Sequence, residues 1–254
     1  MKKLMLGAAA AVAIVAPSAA FADTSGYIDA GYEASEYDGG GEFDALHLGG
    51  AIAHDLSNGW GVQADARSVN QEWDGSSSDD SHGYAAVHAY TNAGSWDFAG
   101  FVGLVEYYGD SGKMIGAETR TAFGNISLSG SLGYADFENG GSDYSATDLR
   151  VNGAYFFSPN LALTAGVGHT DWESVFDSDA LNLSIGGAYQ LASGIALTGE
   201  YVNTDGDGFF SDWEIDSFRL GVRFNINGGD LQNVTNNGAS WSGASDLSEA
   251  MMRW

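Results

Sequence analysis

The sequence predicts an all-β protein, a closed antiparallel transmembrane β-barrel of about 12 strands with a short C-terminal tail. Three observations predict it. From Thr24 to Ile226, runs of roughly ten to fourteen residues alternate apolar with small polar side chains, and clusters of Gly, Ser, Asn and Asp separate the runs. No amphipathic helical pattern interrupts them. The connections also alternate strictly between short uncharged turns and generally longer acidic loops, as expected when every strand crosses the same layer.

Residues 1–22 open with Lys2 and Lys3, run through an apolar stretch from Leu4 to Ala16, break at Pro17 and end on Ala20-Phe21-Ala22. This is the pattern of a cleaved export signal, with Asp23 as the first mature residue. The apolar stretch is shorter than the ~20 residues of a spanning helix, and nothing later in the chain matches it. With no Cys, a disulfide-stapled scaffold is excluded. The 34 acidic residues outnumber 9 basic ones, giving a formal charge of −25, and losing Lys2 and Lys3 makes the exported chain more acidic still. No Lys/Arg cluster is present to neutralise phosphates, which excludes nucleic acid as a partner.

Twelve strands are predicted to start near Thr24, Glu42, Trp60, Gly83, Trp96, Lys113, Ile126, Ala146, Leu161, Ala180, Ile195 and Trp213. In the strand at 126–137, Ile126, Leu128, Leu132 and Tyr134 share one face, with Ser127, Ser129 and Ser131 on the other. In the last strand, Phe218, Leu220, Val222, Phe224 and Ile226 lie opposite Ser217, Arg219, Gly221, Arg223 and Asn225. An apolar face this regular meets either a core or lipid. Strands in lipid satisfy their edge groups only by closing on themselves, so an even set with no covering helix predicts a closed barrel. Aromatics gather where interfacial girdles would lie. On the turn side these are Trp60, Trp96, Phe98, Phe123, Tyr155, Phe157, Tyr189 and Phe224; on the loop side they are Trp73, Tyr84, Tyr107, Tyr108, Tyr134, Trp172, Tyr201 and Trp213.

The polar faces carry charge. Arg67, Arg120, Arg150, Arg219 and Arg223 all fall on them, and three sit in an acid-x-Arg pattern: Asp65-Ala66-Arg67, Glu118-Thr119-Arg120 and Asp148-Leu149-Arg150. A period of two places both members of each pattern inside the barrel, together with Glu200 and, on the first strand, Asp29 and Glu33. Closing first strand on last predicts Asp29 and Glu33 facing Arg223 and Arg219. In the tail, Asp246 and Glu249 suit an N-cap and N3 pair, and Leu247, Ala250, Met251 and Trp254 share a helical face. A short helix docked at the periplasmic mouth is one expectation; a disordered tail is the other, because so short a helix is marginal without packing.

The signal, the strand pattern and the closing Phe218-Arg219-Leu220-Gly221-Val222-Arg223-Phe224 resemble the small porin-like outer-membrane barrels of Gram-negative bacteria. The resemblance implies an outer-membrane location, lipid as the surroundings, and passive diffusion of small polar solutes or ions. It also implies insertion machinery that reads an aromatic residue at the end of the closing strand. The chain departs from the family in that 28 residues follow Ile226; Phe224 rather than Trp254 is the expected signal, since only Phe224 lies on a strand's apolar face. Oligomeric state is left open.

Two readings of the interior charges stand side by side. Opposed arginines and carboxylates form an eyelet in a conducting pore, or they form salt bridges that fill a non-conducting structural or surface-interaction barrel. The acidic loops predict a negative outer mouth that concentrates cations. No enzyme and no cofactor is expected. His169, with Glu173 nearby, lies on the outward stripe with no Ser beside it, and His82 is placed with Ser81 in a loop. Neither Asp205-Gly206-Asp207-Gly208 nor the stretch from Asp74 to Asp80 has the spacing and closing Glu of a calcium loop.

Overall fold

A computed structural model describes residues 24–252 except 39, 57, 76–78, 140–141, 175–176, 192–193, 209–211 and 228. The export signal and Trp254 lie outside the described residues. Twelve antiparallel strands form one closed barrel in which every strand pairs with its sequence neighbours and β1 pairs with β12. In order they are β1 Thr24–Tyr37, β2 Glu42–Asp55, β3 Trp60–Trp73, β4 Asp79–Ala93, β5 Trp96–Tyr107, β6 Asp110–Phe123, β7 Ile126–Asn139, β8 Ser142–Ser158, β9 Leu161–Glu173, β10 Ser178–Gln190, β11 Ile195–Asp207 and β12 Trp213–Ile226. Closure leaves no free edge, so every strand's backbone groups are paired around the ring.

The expected strand pattern holds, with one instructive difference. β4, β6, β8 and β10 begin earlier on the loop side than the apolar alternation indicates, at Asp79, Asp110, Ser142 and Ser178. The loop-side connections therefore shrink to between two and five residues, hardly longer than the turn-side ones of two to four. Tyr108 and Gly109 alone make the β5–β6 connection, both with positive φ (45° and 86°), the backbone of a tight hairpin in which glycine takes the second place without strain. Asp205 and Asp207 are part of β11. Ladder pairing does not require lipid: where the wall rises past the apolar zone, polar side chains keep the same backbone hydrogen bonds. What distinguishes the two ends is acidity, not loop length.

Side chains follow the two-residue period. Leu104, Ile115, Leu132, Leu149, Ile185 and Phe218 are among the many large apolar residues left on the outer surface, the pattern of a barrel wall built to face lipid. The turn-side aromatic row is complete: Trp60, Trp96, Phe98, Phe123, Tyr155, Phe157, Tyr189 and Phe224 are all exposed outward. The loop-side row is not. Tyr108, Tyr134 and Tyr201 face out, whereas Tyr84, Tyr107 and Trp172 are buried inside, and Trp73 and Trp213 join Tyr37 and Phe43 in a further inward cluster. These five share the strand parity of the lumenal residues, and parity overrides position along the strand.

The tail does not stop at the mouth. After Asp230, whose carboxylate caps the helix by accepting from the Asn233 amide at 2.9 Å, α1 (Leu231–Asn237) lies across the turn-side end. The Gln232 amide donates to the Pro159 carbonyl (2.9 Å) and its side chain to the Gly124 carbonyl (2.8 Å), while Leu231 packs with Phe156, Ala162 and Ala196. The chain then turns upward, and α2 (Gly243–Met251) stands inside the barrel against β4 to β8. This differs from both sequence expectations, and the cap differs too: Ser242 is the N-cap, which leaves Asp246 within the helix.

Candidate functional site

The lumen is the site, and its two sides are built differently. From β4 to β7 the inward residues include Tyr84, Ala86, Phe101, Val105, Met114, Ala135 and Phe137, and Leu247 and Met251 of α2 are fully packed against them. From β9 to β12 the inward residues are mainly small and polar, among them Thr164, Gly166, Ser184, Thr198 and Gly221, and they line a cavity of about 700 Å³. The tail packs on the apolar residues, and beside it the cavity runs along β9 to β12 and reaches Asp29, Arg67, Asp97 and Ser127 on other strands. All five lumenal arginines border the cavity.

The structure places the arginines and carboxylates expected inside the barrel on the inner face of their strands. The closure register pairs Asp29 with Arg223 and Glu33 with Arg219, as expected. The Arg219 Nε donates to Glu33 at 2.7 Å, and its Nη1 reaches Glu200 at 3.4 Å. Asp29, although opposite Arg223, pairs instead with Arg67 (3.4 Å) and lies 3.4 Å from His47. Of the three acid-x-Arg patterns, only Asp148–Arg150 pairs within itself, at 3.3 Å. Arg120 turns to Asp97 at 2.9 Å, and Asp65 and Glu118 turn to His88, whose ring nitrogens lie 2.6 Å and 2.5 Å from them. Two carboxylates thus flank one buried imidazole, with Nδ1 hydrogen-bonded to Glu118.

The tail is held by the same groups. Glu249 pairs with Arg67 and, at 2.7 Å, with Arg219. Glu118, already on His88, accepts from the Gly243 amide at 2.6 Å; a β-carbon at this glycine would lie 2.9 Å from the Glu118 carboxyl carbon, so glycine permits the approach. Gln63 exchanges two hydrogen bonds with the Trp241 backbone (2.7 and 3.2 Å), and Arg120 lies 4.4 Å over the Trp241 ring while donating to Ser240 at 2.5 Å. Asp246 accepts from Ser131 and Asn152, both at 3.4 Å, and from Ser242 at 3.1 Å. Burial pushes the Asp246 carboxyl up to about 7 against the opposing pull of Arg150. Glu249 meets the same burial, but Arg219 and Arg67 outweigh it and hold its carboxyl well below the usual range.

His88, Asp97 and Gln63 were absent from the sequence-based set, although their strand parity already places them inside. His82 proves to be a buried strand residue, its Nε2 3.1 Å from Gln71, rather than a loop residue. His169 is outward and exposed, as expected. Among the described residues no group of His, Cys, Asp and Glu has the arrangement of a metal site.

No protein-family model matches the chain, and no curated protein matches it. Solved structures do match in fold. An outer-membrane channel from Pseudomonas putida F1 aligns at a TM-score of 0.58 and 10% identity, covering 82% of this chain and 97% of that one. The β domain of the Bordetella autotransporter BrkA aligns at 0.52 and 14%, covering 80% and 100%. The translocator domain of the autotransporter NalP from Neisseria meningitidis aligns at 0.50 and 12%, covering 87% and 94%. The fold is thus that of outer-membrane β-barrels, and the likeness carried by the sequence holds at the level of the fold.

Proposed function

We propose that the protein is a porin-like channel of the outer membrane for passive diffusion of small polar solutes or ions, its lumen divided by its own C-terminal segment. The observation that carries this reading is the cavity beside the tail, lined by small polar residues, many of them on β9 to β12, and by arginines and carboxylates, which leaves space for water. The chain's excess of acidic residues supports a preference for cations. The surroundings are outer-membrane lipid, reached through the export signal and the barrel-insertion machinery, with Phe224 as the strand-terminal aromatic.

A second reading, a non-conducting structural or surface-interaction barrel, draws support from the aromatic packing at the loop side and from the seated tail. Planar-bilayer recording of the folded mature protein under a KCl gradient separates them. Discrete steps with a cation-favouring reversal potential are expected of the channel. A bilayer that stays silent with demonstrably folded barrel, both for the full chain and for a chain ending before residue 229, favours the structural reading.

A further inference from the structure

We propose that Arg67 and Arg219 form a receptor for the carboxylate of a small hydroxylated solute, and that Glu249 occupies that receptor as a built-in competitor. The inference deepens the channel reading and rests on it for the solute's passage, but not for its binding. Two guanidinium groups from β3 and β12 converge on one tail carboxylate, one arginine on each oxygen, with Arg219 Nη1 at 2.7 Å. Each arginine also keeps a partner on the wall, Asp29 for Arg67 and Glu33 for Arg219, so the wall does not need Glu249 to avoid a stranded charge. Exchanging the Glu249 carboxylate for one from a solute conserves charge and hydrogen bonds.

The neighbouring space suits such a solute. The 700 Å³ cavity opens on Arg67, Arg219 and Glu249 together and lies within the size range of small-molecule sites. Four residues beyond Arg219 on the same face of β12, Arg223 borders the same cavity. Among the described residues no carboxylate lies within 4.0 Å of Arg223; its guanidinium carbon sits 3.9 Å over the Tyr27 ring, and its buried Nε has no acceptor. A carboxylate entering from the turn side thus meets the Arg223 guanidinium first and the Arg67–Arg219 pair beyond it. Thr164, Ser184 and Thr198 offer hydroxyl partners along the way.

The test is calorimetric titration of the full mature chain, folded in detergent, with gluconate and with sorbitol, which has the same skeleton without the carboxylate. Gluconate is expected to bind Glu249→Gln at least about tenfold more tightly than wild type, sorbitol to bind neither, and Arg219→Gln added to Glu249→Gln to lose about tenfold. Equal or undetectable gluconate binding in wild type and Glu249→Gln, or equal binding of sorbitol, overturns the proposal. Heat-modifiable gel mobility checks that each variant is folded. Arg223→Gln, which breaks no ion pair among the described residues, supplies a second measurement: it should weaken gluconate binding severalfold, and unchanged binding counts against the foothold. Conduction without gluconate binding would sink the receptor and leave the channel standing, whereas gluconate binding with a silent bilayer would do the reverse.

Discussion

The two sides of the lumen share one outer surface but present opposite interiors. β4 to β7 turn Phe101, Met114, Ala135 and Phe137 inward, whereas β9 to β12 turn Thr164, Ser184, Thr198 and Gly221 inward. Both sides obey the same period of two, so apolar alternation alone does not reveal that one lumenal face is a docking surface. The tail settles where burying Leu247 and Met251 removes apolar area from water, and it leaves hydrated the side where it could only displace water from hydroxyls. A half-apolar lumen in a twelve-stranded barrel is explained by the segment it receives.

The largest effect should come from removing that segment. A chain ending before residue 229 keeps Phe224 and the whole wall, and its single-channel conductance is expected to rise severalfold over the full chain; equal conductance would mean that the tail does not limit the path. Next comes a charge placed in the apolar side. Leu247 is fully buried beside Phe101 and Tyr84, so Leu247→Asp forfeits the ~2–5 kcal/mol of a core leucine and adds a buried carboxylate. Amide hydrogen exchange across 243–251 should then lose its protection, while Thr198→Val on the opposite wall leaves it unchanged. If both variants behave alike, the two sides are not distinct.

Gly243→Val is a milder test of the same contact. Its side chain would press on the Glu118 carboxyl, and overpacking of this kind costs about 1–3 kcal/mol, read as partial loss of α2 protection with the barrel intact.

The smallest effect is a pH dependence. Asp246, raised to about 7 by burial, favours docking most when protonated, so its contribution weakens as pH rises from its ordinary 3.8 toward 7. Glu249, held low, contributes above its ordinary 4.5 and loses that contribution as pH falls below it. Between roughly 4.5 and 7, Asp246 therefore governs, within a field set by Arg150, Asp148, Glu118 and Glu249. Exchange across α2, corrected for its intrinsic pH dependence, should be slower at pH 5 than at pH 7.5, and Asp246→Asn should flatten that difference; a wild type already flat would show that Asp246 does not titrate there.

Much of this arrangement was legible in the sequence. The strand count, the complete turn-side aromatic row and the inward placement of the charges expected inside follow from one rule: neighbouring residues on a strand point to opposite faces, and lipid tolerates few polar groups on one of them. His88 and Asp97 were readable by the same parity. Where position along the strand was used in place of parity, as for Tyr84, Tyr107, Trp172, Trp73 and Trp213, the expectation failed.

The sequence by itself determined the wall, because strand identity and facing depend on local periodicity and on a uniform surrounding lipid. Only the tertiary structure decided the partners inside. Arg67 lies 182 positions from Glu249 and Gln63 lies 178 from Trp241, and no local pattern connects such residues. Which carboxylate an arginine takes depends on the curvature that brings opposite walls within one tail's width and on the shape of the interior that seats α2. Those are properties of the closed ring rather than of any strand.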